Sequence, residues 1–210
     1  QIQPDPLNRT TPAECVPQGF VDDDGDDVVY RYEWQIDGLK RSTVSTLPES
    51  GFRRGEELRC FVDANDGEDY GPRVGSPTVT VGNSPPAIGF VRIAPSPLRE
   101  VSVAVGEVGN LSDPDGDVVV WSFEWFVNGA FASSGTAIDG SSFSRGDTVR
   151  VVATPNDGFD DGPSVQSETV TVANTPPTVV GPIVVTPTNL RGSDTITVSA
   201  GGADIDGDPV

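Results

Sequence analysis

The chain has 210 residues, with 24 Gly, 19 Pro, 32 acidic against 13 basic side chains, two Cys, and neither His nor Met. A formal charge of −19 repels a nucleic-acid backbone or an anionic membrane surface, both of which are bound through clustered Lys and Arg. The lack of His removes the commonest general base and nearly every zinc or copper site, so no enzyme is expected.

Gly and Pro make up about a fifth of the residues, which suits short strands joined by turns rather than helices, and an all-β protein is expected. No run approaches the ~18 apolar residues of a membrane-spanning helix, so direct membrane insertion is not expected. With no initiator Met and no targeting segment at Gln1, the chain reads as a processed or excerpted piece.

In chain order, Ile2-Gln-Pro-Asp-Pro-Leu7 is followed by the acidic turn Asp22-Asp-Asp-Gly-Asp26. Val28, Tyr30, Tyr32, Trp34 and Ile36 then alternate with Val29, Arg31, Glu33 and Gln35, a period of two that predicts a central strand with its aromatic face in a core. Leu58, Cys60 and Val62 predict a second such strand, and Val79 with Val81 a closing one. Asp-Gly, Asn-Gly and Arg-Gly pairs mark turns between them.

The whole pattern then recurs. Asp22-Asp-Asp-Gly-Asp26 returns as Asp113-Pro-Asp-Gly-Asp117 and as Asp204-Ile-Asp-Gly-Asp208, spaced by 91 residues each time. The same offset carries Trp34 to Trp125, Gly55 to Gly146, Asn65-Asp-Gly67 to Asn156-Asp-Gly158, and Asn83-Ser-Pro-Pro86 to Asn174-Thr-Pro-Pro177. The chain therefore divides into repeat one, residues 1–83, repeat two, residues 84–174, and the opening strands of an incomplete third repeat, residues 175–210. In that third part Ile183-Val-Val185 and Thr195-Ile-Thr-Val198 read as strands on two edges of an unfinished sandwich, to be completed by continuation of the chain or by strands from a neighbouring subunit.

About ninety residues with roughly seven short strands and a Trp one strand beyond a Cys describe an immunoglobulin-like β-sandwich. Cys15 lies 19 residues before Trp34 and Cys60 lies 26 after it, the order of a cystine that bridges two sheets against a Trp. A Cys15–Cys60 disulfide and an oxidising compartment are predicted. Repeat two has Val151 in place of Cys60 and no Cys near Val103 or Val105, so apolar packing must suffice there.

The succession of Asp-x-Asp-Gly-Asp, an aromatic strand ending in Trp, Asn-Asp-Gly and a closing Thr-Val-x-Asn-x-Pro-Pro resembles the tandem immunoglobulin-like repeats, PKD- and cadherin-like in style, of large prokaryotic surface and secreted proteins. The resemblance covers the whole chain and implies an extracellular or cell-surface scaffold, often stabilised by calcium. Repeat one departs from the motif in having Asp23 where Pro is usual, which leaves the acidic triplet intact.

Three carboxylates at i, i+2 and i+4 converge only where the backbone turns, and Gly25, Gly116 and Gly207 permit that turn. The calcium candidates are Asp22, Asp24 and Asp26; Asp113, Asp115 and Asp117; and Asp204, Asp206 and Asp208. Asn65 with Asp66, and Asn156 with Asp157, fall in a loop that a sandwich brings to the same end, and linker Asn83 or Asn174 offers one more oxygen. The competing interpretation is a solvated turn whose Asp residues cap backbone amides. An EF-hand is excluded because seven residues of extended strand carry Glu33 roughly 23 Å from Asp26. Trp121 occupies the core-face position of Tyr30, so packing is favoured over a sugar-stacking role, while Phe126 on the opposite face is more open.

Two functions follow. The first is a structural segment of an extracellular fibre, stalk or adhesin, stiffened by calcium at the acidic loops, with further copies of the repeat in the same chain or in neighbouring subunits as partners. The second is an accessory module of a secreted polysaccharide-degrading enzyme, with a glycan as partner. The sequons at Asn8 and Asn110 permit glycosylation.

Overall fold

The computed structural model describes residues 1–19, 25–189 and 191–210. They form an all-β molecule whose first two repeats each fold as an immunoglobulin-like sandwich of two antiparallel sheets. Repeat one contributes β1 (Ile2–Gln3), β2 (Ala13–Cys15), β3 (Val29–Ile36), β4 (Leu39–Ser42), β5 (Thr46–Leu47), β6 (Glu57–Asn65), β7 (Val74–Gly75) and β8 (Val79–Thr80). One sheet runs β1-β2-β5 and the other β4-β3-β6-β7, with β8 also on β6.

Repeat two reproduces this with β9 (Phe90–Ala94), β10 (Ala104–Gly109), β11 (Val120–Val127), β12 (Ala130–Ser134), β13 (Ala137–Ile138), β14 (Thr148–Asn156), β15 (Val165–Gln166) and β16 (Val170–Thr171). Its sheets run β13-β10-β9 and β12-β11-β14-β15, with β16 on β14. The β3–β4 and β11–β12 hairpins close through Asp37-Gly38 and Asn128-Gly129, all four with positive φ, the requirement of a two-residue turn that matches strand twist.

The aromatic strand is placed by pairing. Antiparallel β3 and β6 set Trp34 opposite Cys60, Ile36 opposite Leu58 and Tyr32 opposite Val62. Trp34 and Trp125 are fully buried, and each indole donates to a carbonyl ten residues on, Val44 O and Gly135 O, at 2.9 Å. Trp121 differs from expectation: it shares the face of Phe123 and Trp125 but is 44% exposed. Strand alternation sets the face a side chain takes and not how far its neighbours cover it.

The two cores solve one problem differently. In repeat one the predicted Cys15–Cys60 disulfide is present, joining β2 to β6 across the sandwich, and a crosslink over 45 residues stabilises the fold by about 3–4 kcal/mol. In repeat two the residue 91 beyond Cys15 is Gly106, and a Cβ built there would lie 2.6 Å from Cε1 of Phe123. The buried Phe123 ring therefore lies on the glycine backbone and, with the fully buried Val151, helps fill the core that lacks a cystine.

The chain separates into two compact units. One holds Gln1–Ala87, Ser112–Val120 and Asn156–Pro163; the other holds Ile88–Leu111, Trp121–Pro155 and Ser164–Val210. Two loops of repeat two, with Asp113–Asp117 and Asn156–Asp161, thus belong to the unit built on repeat one. Beyond residue 174, β17 (Thr178–Thr186) and β18 (Thr197–Ala203) pair with each other as a hairpin rather than standing at two edges, as β9 pairs β10 in repeat two. All their residues are exposed, including Ile183, Val184 and Val198.

Gly106→Ala tests the repeat-two core. The methyl must displace Phe123, and the expected cost is about 1–3 kcal/mol, read as a lower melting temperature. An unchanged melting temperature would show that Phe123 is not fixed against the glycine.

Candidate metal centre at the repeat boundary

In repeat one β3 begins three residues after Asp26 and β6 ends at Asn65, and the two strands set Val29 opposite Asn65. The chain entering β3 from Asp26 and the Asn-Asp-Gly turn leaving β6 therefore lie at the same end, as the antiparallel order requires. The corresponding turns of repeat two precede β11 and follow β14.

Asp113, Asp115 and Asp117 converge. One carboxylate oxygen from each lies within 4.8 Å of the others, the only such three-residue group among the described residues. Asp113 Oδ1 shapes the turn by accepting the N–H of Asp115 at 2.8 Å and of Asp117 at 3.1 Å, while Gly116 takes φ +83°. The Asp115 side chain is only 3% exposed, and its Oδ2 accepts the backbone N–H of linker Ser84 at 2.7 Å. Two buried oxygens, Asp113 Oδ2 and Asp115 Oδ1, make no hydrogen bond among the described residues.

Two arginines face these carboxylates. Arg54 forks onto Asp117 through both terminal nitrogens, with Nη2 at 3.2 Å from Oδ1, and donates from Nη1 to Asn83 Oδ1 at 2.6 Å. Its guanidinium also stacks 4.1 Å from the ring centroid of Phe159, and the hydrogen bond to Asp117 raises its pKa above the ordinary arginine value. Arg9 donates from Nη1 to the Pro114 carbonyl and places that nitrogen 3.7 Å from Asp115 Oδ1.

The remaining candidates are engaged in turns. Asn156 holds its own loop, accepting Gly158 N–H and donating to Asp161, and Asn65 does the same with Gly67 and Asp69. Asp66 Oδ1 accepts the amides of Glu68 and Asp69, both at 2.8 Å. The amides of Phe159 and Asp160 donate to Asp157 Oδ1, and Asn83 Nδ2 donates to its Oδ2 at 2.8 Å. Burial alone would raise the Asp157 pKa, but these donors together hold it below the usual carboxylate value. Asp22 and Asp24 lie outside the described residues; Asp26 is exposed and follows Gly25, whose φ is +84°.

The hydrogen-bond pattern recurs 91 residues on, although Asp204, Asp206 and Asp208 do not bring one oxygen from each within 4.8 Å of the others. Arg145 bonds Asp208 and, at 2.7 Å, Asn174 Oδ1; Thr175 N–H donates to Asp206 Oδ2; and Asp204 Oδ1 accepts the amides of Asp206 and Asp208. The buried oxygens without a hydrogen bond are again Oδ2 of the first Asp, Asp204, and Oδ1 of the second, Asp206. The arginines are the part that reading for carboxylates misses. Their signal is present in the Arg54-Gly55 and Arg145-Gly146 pairs, which by themselves look like turn punctuation.

No family model matches the chain, and no curated protein matches it. Among solved structures, it is similar to a two-domain fibronectin type-III segment of chicken tenascin, at 12% identity and a TM-score of 0.39, over 82% of this chain and 97% of that one. It is also similar to the FN1–FN3 domains of chicken CNTN1, at 14% identity and a TM-score of 0.33, over 96% and 73% of the two chains. At those values the assignment to immunoglobulin-like sandwiches stands on the strand pairing described above. Among the described residues no helix is long and apolar enough to cross a membrane.

Asn83→Ala removes the amide shared by Asp157 and Asp160. Leaving the buried Asp157 oxygen without that donor is expected to cost about 1–3 kcal/mol at neutral pH. The folded-state pKa of Asp157 is depressed, so its contribution is present above the ordinary carboxylate value and lost as pH falls below it. Removing a donor raises that pKa, and acid unfolding followed by circular dichroism should begin at a higher pH in the variant.

Proposed function

We propose that the chain is a structural repeat segment of an extracellular fibre, stalk or adhesin, stiffened by calcium at its Asp-x-Asp-Gly-Asp loops. The observation that carries the proposal is the recurrence, 91 residues apart, of one device in which linker groups meet an acid triplet and the same two buried carboxylate oxygens are left without a hydrogen bond. A repeat needs only its neighbours to be stable, and a device at each boundary suits a chain that serves to span distance. The Cys15–Cys60 disulfide supports an oxidising location.

The residues fit the ion. The donors are hard carboxylate oxygens, and oxygens held ~2.3–2.6 Å from calcium stand up to roughly 5 Å apart, which the separations in the triplet allow. Asp113 Oδ2 and Asp115 Oδ1 would ligate directly, and Asp117 would supply the third carboxylate. A bound dication would offset the repulsion of three clustered negative charges and satisfy the two oxygens. A solvated turn accounts for Asp113 Oδ1 but leaves no role for the buried pair.

The exposed Trp121 favours a second proposal, a glycan-touching accessory module, because a half-exposed indole on a sheet face is available for stacking on a sugar ring. Quenching of Trp fluorescence by soluble oligosaccharides, lost in Trp121→Ala, would support it over the purely structural role.

Calorimetric melting in millimolar calcium and in excess chelator tests the first reading. At calcium a hundredfold above its dissociation constant a site stabilises the fold by about 2.7 kcal/mol. The melting temperature should rise accordingly, and Asp115→Asn with Asp117→Asn should remove the contribution of that loop. Coincident melts in both buffers would reduce the triplets to turns.

A further inference from the structure

The acid triplets are not bare. In each of the two described copies one guanidinium occupies the last carboxylate and the linker Asn together: Arg54 on Asp117 and Asn83, Arg145 on Asp208 and Asn174. The Arg54 fork takes both oxygens of Asp117, while the two buried oxygens of Asp113 and Asp115 stay unbonded. A metal ion that binds those two oxygens and takes a third ligand from Asp117 must draw on a carboxylate that Arg54 already holds. Arg54 has an alternative support, since it stacks on Phe159 and bonds Asn83 independently of Asp117.

We propose that Arg54, and Arg145 at the equivalent position, is a resident counter-cation of the acid triplet, clamping the last Asp to the linker when no metal is bound and competing with a divalent cation for that carboxylate. The proposal rests on the reading of the triplets as divalent-cation loops and adds to it the means by which affinity is set. The boundary then has two ways to neutralise itself. With the arginine alone it holds the loop through one carboxylate; with the metal it gathers all three.

The second arginine grades the two copies. Arg9 stands 3.7 Å from Asp115 Oδ1, one of the two unbonded oxygens, and so opposes a cation there directly. The residue 91 beyond Arg9 is Glu100, which accepts the backbone N–H of Arg145 at 3.2 Å and adds a negative charge to the Asp204–Asp208 copy instead. Arg99 donates to the Asn174 carbonyl at 3.0 Å, but among the described residues no ion pair reaches Asp206 Oδ1 as Arg9 reaches Asp115 Oδ1.

The test is a calcium chloride titration of the whole 210-residue chain, followed through the backbone amides of Gly116 and Gly207 in nitrogen–proton spectra, with a melt of each variant in chelator. These glycines sit inside the two triplets and report them separately. In Arg54→Gln the Gly116 midpoint should move to calcium concentrations roughly three- to fivefold lower, Gly207 should keep its midpoint, and the melting temperature in chelator should fall. Arg54→Lys, which keeps the charge, should restore most of the original midpoint. Arg9→Gln should likewise lower the Gly116 midpoint alone, and Arg145→Gln the Gly207 midpoint, so the proposal does not depend on one variant folding.

A residue that merely braces the loop would, when removed, weaken calcium binding and ion-free stability together. A Gly116 midpoint that rises or stays put in Arg54→Gln, while wild-type Gly116 still responds to calcium, overturns the competition and leaves the metal reading standing. Silence of both glycines up to millimolar calcium in the wild-type chain overturns the metal reading itself, and the competition with it.

Discussion

The antiparallel pairing of the aromatic strand with its long neighbour decides both the core and the site. In repeat one β3 against β6 places Trp34 and Ile36 opposite Cys60 and Leu58 on a face that the smaller sheet covers. The same ladder ends at Val29 opposite Asn65, so the loop entering the first strand and the loop leaving the second emerge side by side. Were the register to slip by one residue, the buried and solvent faces would exchange and the indole would lose its carbonyl partner. Core and boundary chemistry are therefore one constraint read at two ends of a strand pair.

Charge is what makes the boundary specific. Three carboxylates around a glycine repel one another, and the turn survives because each has its own partner. One accepts the amides of its own turn, one accepts the linker amide, and one is forked by an arginine. Linker Asn83 joins the two clusters of the unit, accepting from Arg54 and donating to Asp157 and Asp160. A hydrogen-bonded network of this kind rigidifies only when every member is satisfied. The two oxygens left over in each copy are the points at which the protein alone does not complete it.

The repeats also show how one architecture tolerates loss of its covalent staple. Cys15 and Cys60 lock the two sheets of repeat one, whereas repeat two closes the same gap with an aromatic ring seated on Gly106. A crosslink acts mainly on the unfolded chain and packing acts on the folded one.

The fold class, the 91-residue spacing, the buried Trp34 and Trp125, the cystine and the acidic turns are all legible in the sequence, because each depends on local period, a turn residue or a recurrence. The period of two gives the face of Trp121 but not its exposure, since alternation does not set how far neighbours cover a side chain. The strands of the third part, expected at two edges, pair as one hairpin, because pairing partners are chosen by the sheet and not by the strand's own pattern. The pairing of the arginines with the acid triplets is hidden from the sequence for the same kind of reason. Arg54 lies 63 residues from Asp117 and Arg9 lies 105 from Pro114, and no periodicity links positions that meet only when a linker turns and two loops leave a strand pair at the same end. Residue types and their recurrence marked the acidic turns; only the tertiary structure decided that Asp113, Asp115 and Asp117 gather and which cations already stand among them, because that depends on where the chain returns and not on what precedes or follows along it.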